Sequence, residues 1–222
     1  MNWFTIALPK GRLLDEALNL LGCCGIDVSA ISEKTRSLVF TNPSDMIRLI
    51  MVRPVDVPIY VENGAADIGF VGKDILVEGQ HDVYELMDLQ FGRCRFVLAS
   101  PDCGQPIKSS SGSVRIASKF PQITASYLAK RGLRGSVITL SGAVELAPAV
   151  GLADMIVDIV DSGRTLQANG LHVVDDILTS TVRLIANRAS YRLKYSKINE
   201  IQIKLNDQLE NRGDQHEDLA RF

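Results

Sequence analysis

The chain has 222 residues, 46% hydrophobic and 23% charged, enough for one larger domain or two small ones that each bury a core. A net charge of −2 excludes a global basic field that would draw the protein to nucleic acid or anionic lipid. No apolar run approaches membrane-spanning length, and "MNWFTIALPKGR" has no basic stretch leading into a long apolar one, so a cytoplasmic protein is expected.

In chain order, "FTIAL" (Phe4 to Leu8) reads as a strand. "LLDEALNLLGCCG" follows as a helix with Leu14, Ala17, Leu18 and Leu21 on one face and Gly25 as its stop. "MIRLIMVR" is a strand, "VPIYVENGAA" a helix opening near Pro58, "DIGFVG" a short buried strand and "CRFVLAS" another strand. "SPDCGQPIKSSSGS", Ser100 to Ser113, breaks all periodicity and marks a loop or domain seam. The pattern restarts with strand "VRIASKF", helix "PQITASYLAKRG", strand "SVITL", short helix "GAVELAPAVG" and strand "ADMIVDIV". "VRLIANR" and a long helix, "SYRLKYSKINEIQIKLNDQLE", lead to a polar tail over 211–222. Strands separated by helices favour parallel α/β sheets. Two successive α/β blocks fit two lobes with a cleft between them.

The four cysteines (Cys23, Cys24, Cys94, Cys103) include no C-x-x-C pair and read as buried reduced thiols. His81, His172 and His216 are scattered, so no protein metal site is expected.

The segment with the most chemistry is "VDIVDSGRTLQANGL". An apolar strand ends in Asp158 and Asp161, followed by Ser162, Gly163, Arg164 and Thr165. In open α/β sheets, ligands bind at the carboxyl ends of strands. Gly163 admits close backbone approach, Ser162 and Thr165 offer hydroxyls, and the helix start favours an anion. The Walker pattern is absent. Carboxylates beside a phosphate pocket accept hydrogen bonds from a ribose diol or help hold Mg²⁺, so the loop suggests a ribose 5-phosphate. A capped strand-to-helix turn with no ligand is the plain alternative.

Lys10 and Arg12 flank Gly11 at a helix start, where cations oppose the helix dipole. Either a bound anion or simple solvation accounts for them. In "GAADIGFVGKDIL", Asp67 begins a strand and Lys73 follows its end; Gly69 inside it answers to tight helix packing or to a ligand. "LSGAVELAPAVGLAD" repeats the strand–Gly–helix design, with Gly142 at the opening and Glu145 in the first turn, as a dipole partner or beside an anion. Arg36, Arg53, Arg93 and Arg95 stand near strand ends, where arginine suits bidentate phosphate contacts.

Taken together, "ALPKGRLLDEAL", "AADIGFVGKDIL", "VYELMDLQFGRCRFVLA", "GAVELAPAVGLADMIVDIVDSGRTLQANGL" and "RLIANRASYRLK" resemble the ATP phosphoribosyltransferase family, in the family's order and over nearly the whole chain. The resemblance implies a two-lobed, periplasmic-binding-protein-like α/β fold. Its first lobe would comprise 1–99 plus 183–210 and its second 100–182, with the Ser-rich seam and "STVRLIAN" as crossovers. It implies condensation of ATP, through adenine N1, with 5-phosphoribosyl 1-diphosphate, releasing pyrophosphate with Mg²⁺ held through the substrate phosphates.

By resemblance, Asp158 and Asp161 to Thr165 would hold the phosphoribosyl group, Lys10, Gly11 and Arg12 would sit near pyrophosphate or triphosphate, and Arg36 would be a second arginine at the nucleotide site. Arg12 and Arg36 are the expected catalytic pair; Asp67, Lys73, Gly142 and Glu145 are further carry-overs. Ser162 stands where many members have Thr and keeps the hydroxyl. The chain's length resembles the short form of the family, which works with a regulatory subunit similar to histidyl-tRNA synthetase in a hetero-oligomer built on catalytic dimers. The competing readings are a two-lobed small-molecule binding module and a phosphoribosyltransferase acting on another base.

Overall fold

A computed structural model describes residues 3–29, 31, 37–101, 113–160 and 163–219, with side chains up to Asn211. The chain divides into two compact units, the first formed by Met1–Leu76, Gln80–Gly92 and Thr181–Phe222, the second by Val77–Gly79 and Arg93–Ser180.

The first unit runs β1 (Phe4–Pro9), α1 (Leu14–Cys23), β2 (Val39–Asn42), β3 (Ile47–Val52), α2 (Val57–Glu62), β4 (Ile68–Gly72), α3 (Lys73–Gly79, whose end groups with the second unit) and β5 (Tyr84–Asp88). The second runs β6 (Cys94–Ser100), β7 (Val114–Ser118), α4 (Pro121–Arg131), β8 (Gly135–Thr139), β9 (Met155–Val160), α5 (Arg164–Ala168) and β10 (His172–Ser180). The chain then returns to the first unit as β11 (Val182–Ala186), α6 (Arg188–Leu193) and α7 (Tyr195–Leu219).

The first sheet has the order β2-β3-β1-β4-β11-β5 and the second β10-β6-β9-β7-β8. Both are mixed. Parallel β3, β1 and β4 form the middle of one, and parallel β9, β7 and β8 one side of the other. β1 and β4 are buried at every position, as expected of parallel strands covered on both faces. β2, an edge strand, alternates exposed and half-buried residues.

Local sequence explains the helices that anchor each unit. α1 buries Leu14, Ala17, Leu20 and Leu21, and Gly25, at φ 81, turns the chain after it as the sequence predicts. Leu18 of the expected stripe is only partly buried. α7 brings Ile198, Ile201, Leu205 and Leu209 into the same core. Each such side chain contributes about 1.5–3 kcal/mol relative to exposure, which is what returns the C-terminal segment to the first unit. In the second unit α4 starts at Pro121, and the Glu78 carboxylate accepts its Gln122 and Ile123 N–H groups at 3.0 Å each.

Several expectations need correction. The first unit closes at Gly92, not at residue 99, because β6 pairs with β9 and β10 in the second sheet. The Ser-rich seam therefore joins β6 to β7 within the second unit; residues 102–112 lie outside the described ones. The return crossover falls at Ser180 and Thr181, before the expected 183. The expected tail from 211 continues α7 to Leu219. The expected helix over "GAVELAPAVG" reduces to a 3₁₀ turn at Val144–Leu146. β2, β5 and β10 have no counterpart in the sequence reading. Among the cysteines, Cys24 is buried, its thiol pushed up to about 11 chiefly by that burial. Cys94 is half-buried and Cys23 is exposed, against expectation, while Cys103 lies outside the described residues.

Candidate functional site

The second unit carries a pocket at the carboxyl edge of its parallel strands. It measures about 210 Å³ and is lined by Glu145, Asp158, Ile159, Val160 and Gly163 to Leu166. β9 delivers Asp158, and α5 starts opposite it at Gly163, whose φ of 75 demands glycine; the nearest atom to an added Cβ would be Val160 at 3.9 Å. Glu145 arrives from the loop after β8, through Ala143 at φ 46 and the 3₁₀ turn that buries Val144. A left-handed alanine costs about 1–2 kcal/mol, so this turn is held by its surroundings.

Asp158 is half-buried and accepts the Ile159 N–H at 2.8 Å. Burial pushes its carboxyl above the usual range, the Glu145 charge adds to that, and the Ile159 N–H and the Lys119 cation pull the other way. Two carboxylates, one from β9 and one from the turn after β8, thus line one small pocket alongside Arg164 and Thr165. Such a pocket suits a ligand that donates hydrogen bonds to carboxylates and is anionic elsewhere, which is the pattern of a sugar phosphate.

At the corresponding edge of the first sheet stand Lys10 after β1, Arg53 after β3 and Lys73 after β4, three adjacent parallel strands. Gly11 has φ 83 with open space around it, so backbone geometry and not crowding requires glycine there. Lys10 is half-buried and Arg12 exposed, and neither side chain pairs with a described residue. α1 starts without a side-chain cap, with Asp15 and Glu16 in its first turn. Lys73 is already paired with Glu85, and Arg53 with Asp56 at 2.9 Å.

Asp67 sits apart, at the opposite end of β4. It is 5% exposed, accepting from the Thr5 N–H (2.7 Å), the Ser190 hydroxyl (2.6 Å) and the Lys194 ammonium (2.9 Å). Its hydrogen bonds are internal to the first unit, and it is not at the edge where Lys10 and Lys73 lie. A Cβ on Gly69 would come within 2.8 Å of both Val57 and Val61, so that glycine answers to packing of α2 on β4.

The expected site residues therefore divide. Asp158, Gly163, Arg164, Thr165 and Glu145 line one pocket. Lys10, Gly11, Arg12 and Lys73 belong to the carboxyl edge of the first sheet, and Asp67 to its other end. Gly142 lies in the exposed loop before Glu145, outside the pocket lining. Asp161, Ser162 and Arg36 lie outside the described residues. Lys119, next to Asp158, was missed. Its signal is a cation directly after the apolar run "VRIAS", informative only once β7 is known to lie beside β9.

The ATP phosphoribosyltransferase (HisG) family model matches residues 53–207. An ATP phosphoribosyltransferase of Moorella thermoacetica is 50% identical over 206 residues, covering 90% of this chain and 90% of that protein. Among solved structures, the ATP phosphoribosyl transferase (HisG:HisZ) complex from Thermotoga maritima aligns at 38% identity and TM-score 0.77, covering 94% of this chain and 99% of that one. A periplasmic His/Glu/Gln/Arg/opine family-binding protein from Silicibacter pomeroyi, 12% identical, aligns at TM-score 0.58 over 94% of this chain and 91% of that one, which shows a shared two-lobed fold alone.

Proposed function

Because this chain belongs to the ATP phosphoribosyltransferase family and makes the first condensation of histidine biosynthesis, we propose that the pocket of the second unit holds the phosphoribosyl donor. The observation that supports this is the meeting of Glu145 and Asp158 with Gly163 to Thr165 around about 210 Å³. The carboxylates accept hydrogen bonds from the ribose 2- and 3-hydroxyls, while Ser162, Thr165 and the start of α5 take the 5-phosphate. Asp161 joins them from the same loop. Glu145 is thereby reassigned from the ATP or pyrophosphate group to the donor pocket.

Adenine N1 already carries a lone pair, so no strong general base is needed. The bond from N1 to the anomeric carbon forms as the bond from that carbon to the diphosphate oxygen breaks, and the electron pair leaves with pyrophosphate. Positive charge grows on the ribose in between, and the two carboxylates favour it electrostatically. By the family resemblance Lys10, Gly11 and Arg12, with Arg36, are the residues for ATP or the departing diphosphate; Lys73 serves there only by giving up Glu85.

Glu145 and Asp158 are hard oxygen donors that fit Mg²⁺ as an addition to phosphate oxygens. Among the described residues no group of three such side chains forms a complete cage. Held by those residues and the substrate phosphates, the ion would supply charge neutralisation to the diphosphate.

Likeness to the Thermotoga maritima HisG:HisZ complex supports a HisZ-like partner subunit; a cytoplasmic location and a hetero-oligomer built on catalytic dimers are what the family resemblance implies. Mixed with ATP, Mg²⁺, 5-phosphoribosyl 1-diphosphate and such a subunit, it should release pyrophosphate and form N1-(5-phosphoribosyl)-ATP. Absence of that product with both subunits present would defeat the assignment. Asp161→Asn should weaken donor binding more than ATP binding; equal losses would remove the loop from the donor site.

A further inference from the structure

The carboxyl edge of the second sheet holds a cation that the function above does not use. Lys119 follows β7, the strand between β9 and β8. Ser118 pairs in register with Val157 on one side and Thr139 on the other, so the next position lies level with Asp158 and Leu140. The backbone around Lys119 is pinned. The Ser118 hydroxyl, fully buried, donates to the Val157 carbonyl at 2.8 Å and accepts the Phe120 N–H at 3.0 Å. The Leu140 N–H donates to the Ser118 carbonyl at 3.0 Å, and Phe120 packs edge-on against Phe96 with ring centres 4.8 Å apart. Lys119 itself is exposed, and its side chain makes no hydrogen bond or ion pair with a described residue.

We propose that Lys119 is a further binding residue for the phosphoribosyl donor, taking an anionic phosphate oxygen of the ligand whose diol Asp158 and Glu145 accept. The inference rests on the donor reading of that pocket. Two carboxylates repel an anionic ligand, so a pocket built around them needs cations at its rim. Arg164 lines the pocket from α5, and Lys119, outside that lining, follows the neighbouring strand β7 level with Asp158. A lysine is a compact point charge on a flexible stem, suited to turning from a neighbouring carboxylate to an arriving phosphate. Its charge already favours the ionised form of Asp158. Around that carboxylate are the Ile159 N–H of its own strand, Glu145 and Arg164 in the lining of the same pocket, and Lys119, level with it on the neighbouring strand's end and acting on it by charge.

The test is a calorimetric titration of wild-type protein, Lys119→Ala and Lys119→Arg with Mg²⁺ and 5-phosphoribosyl 1-diphosphate, and separately with ATP, at several pH values. Lys119→Ala should weaken donor binding about five- to tenfold, Lys119→Arg should restore most of it, and ATP binding should stay within about twofold throughout. Acidification should abolish donor binding at a higher pH in Lys119→Ala than in wild type, because Asp158 then protonates without the opposing cation. A merely structural role moves neither the donor-to-ATP ratio nor the pH profile. Equal donor affinity in all three proteins, or an unmoved profile, overturns the inference. Product formation is assayed separately. A wild type that binds donor but forms no ribosylated ATP overturns the catalytic reading, whereas product formation with an unaltered Lys119→Ala titration overturns this inference alone.

Discussion

Asp67 and Asp158 sit at opposite kinds of place. Asp67 immediately precedes β4 at the amino edge of the first sheet, is 5% exposed and is bonded to Thr5, Ser190 and Lys194. Asp158 lies near the carboxyl end of β9 in the second sheet, half-buried, with the Ile159 N–H as its hydrogen-bond donor and a second carboxylate facing the same pocket. Asp67 is withdrawn from water and Asp158 only partly so. One is satisfied by the fold, which leaves it no capacity for a ligand. The other has one hydrogen-bond donor among the described residues, which leaves carboxylate capacity that a ligand can use. Burial alone does not separate structure from function; the count of partners does.

The largest effect that checks this contrast is on stability. Asp67→Ala removes the counter-charge of Lys194, whose side chain is 23% exposed, and orphans the Thr5 N–H. A loss of about 3–5 kcal/mol is expected, which lowers the melting temperature by about 10 °C. Donor affinity per folded molecule should not change. A variant that melts like wild type but binds substrate poorly would move Asp67 into the ligand site. Next in size is Asp158→Asn. It should weaken donor binding about 10- to 100-fold, the worth of a hydrogen bond to a charged group, and leave ATP binding nearly alone. Titration with each ligand decides it. Smaller again is Gly69→Ala, two residues along the chain from Asp67. Its Cβ would lie 2.8 Å from Val57 and Val61, so α2 must shift, at about 1–3 kcal/mol in a denaturant melt. No loss there would mean that the glycine serves something other than packing.

Much of this contrast was hidden from the sequence. The apolar runs of β1, β4 and β9 and the stripe of α1 with its Gly25 stop are legible because their periodicity is local. β10 is not. It carries Asp175 and Asp176 and two register shifts, and it is a strand because β6 pairs along it. β6 looks like any other strand, and only its partners assign it to the second sheet, which is why the unit boundary was misplaced. The loop after β9 reads as a candidate sugar-phosphate site because glycine, hydroxyls and acids are consecutive there. Glu145 comes from the turn after β8 and Lys119 follows β7, so their nearness to that loop depends on strand order, which no local pattern encodes. Asp67 and Asp158 look alike as acids near strand ends; strand direction tells them apart, and the carboxyl-end rule favours Asp158.

The smallest effect sharpens the contrast through its sign. The folded protein holds the Asp158 carboxyl above its ordinary range, first through burial and then through Glu145. The folded state therefore binds that proton more tightly than the unfolded chain. By linkage the stabilisation is complete below the unfolded carboxyl's range and is lost as pH rises through the raised folded value, so ionised Asp158 costs stability at neutral pH. Asp158→Asn should then be slightly more stable than wild type at neutral pH, with the gain shrinking as the buffer is acidified. Asp67→Ala is destabilised over the same neutral range. Paired denaturant melts at neutral and acidic pH measure both. A neutral-pH loss in Asp158→Asn comparable to that of Asp67→Ala would show that the fold depends on both acids alike, and the division between a satisfied acid and a ligand-facing one would fall.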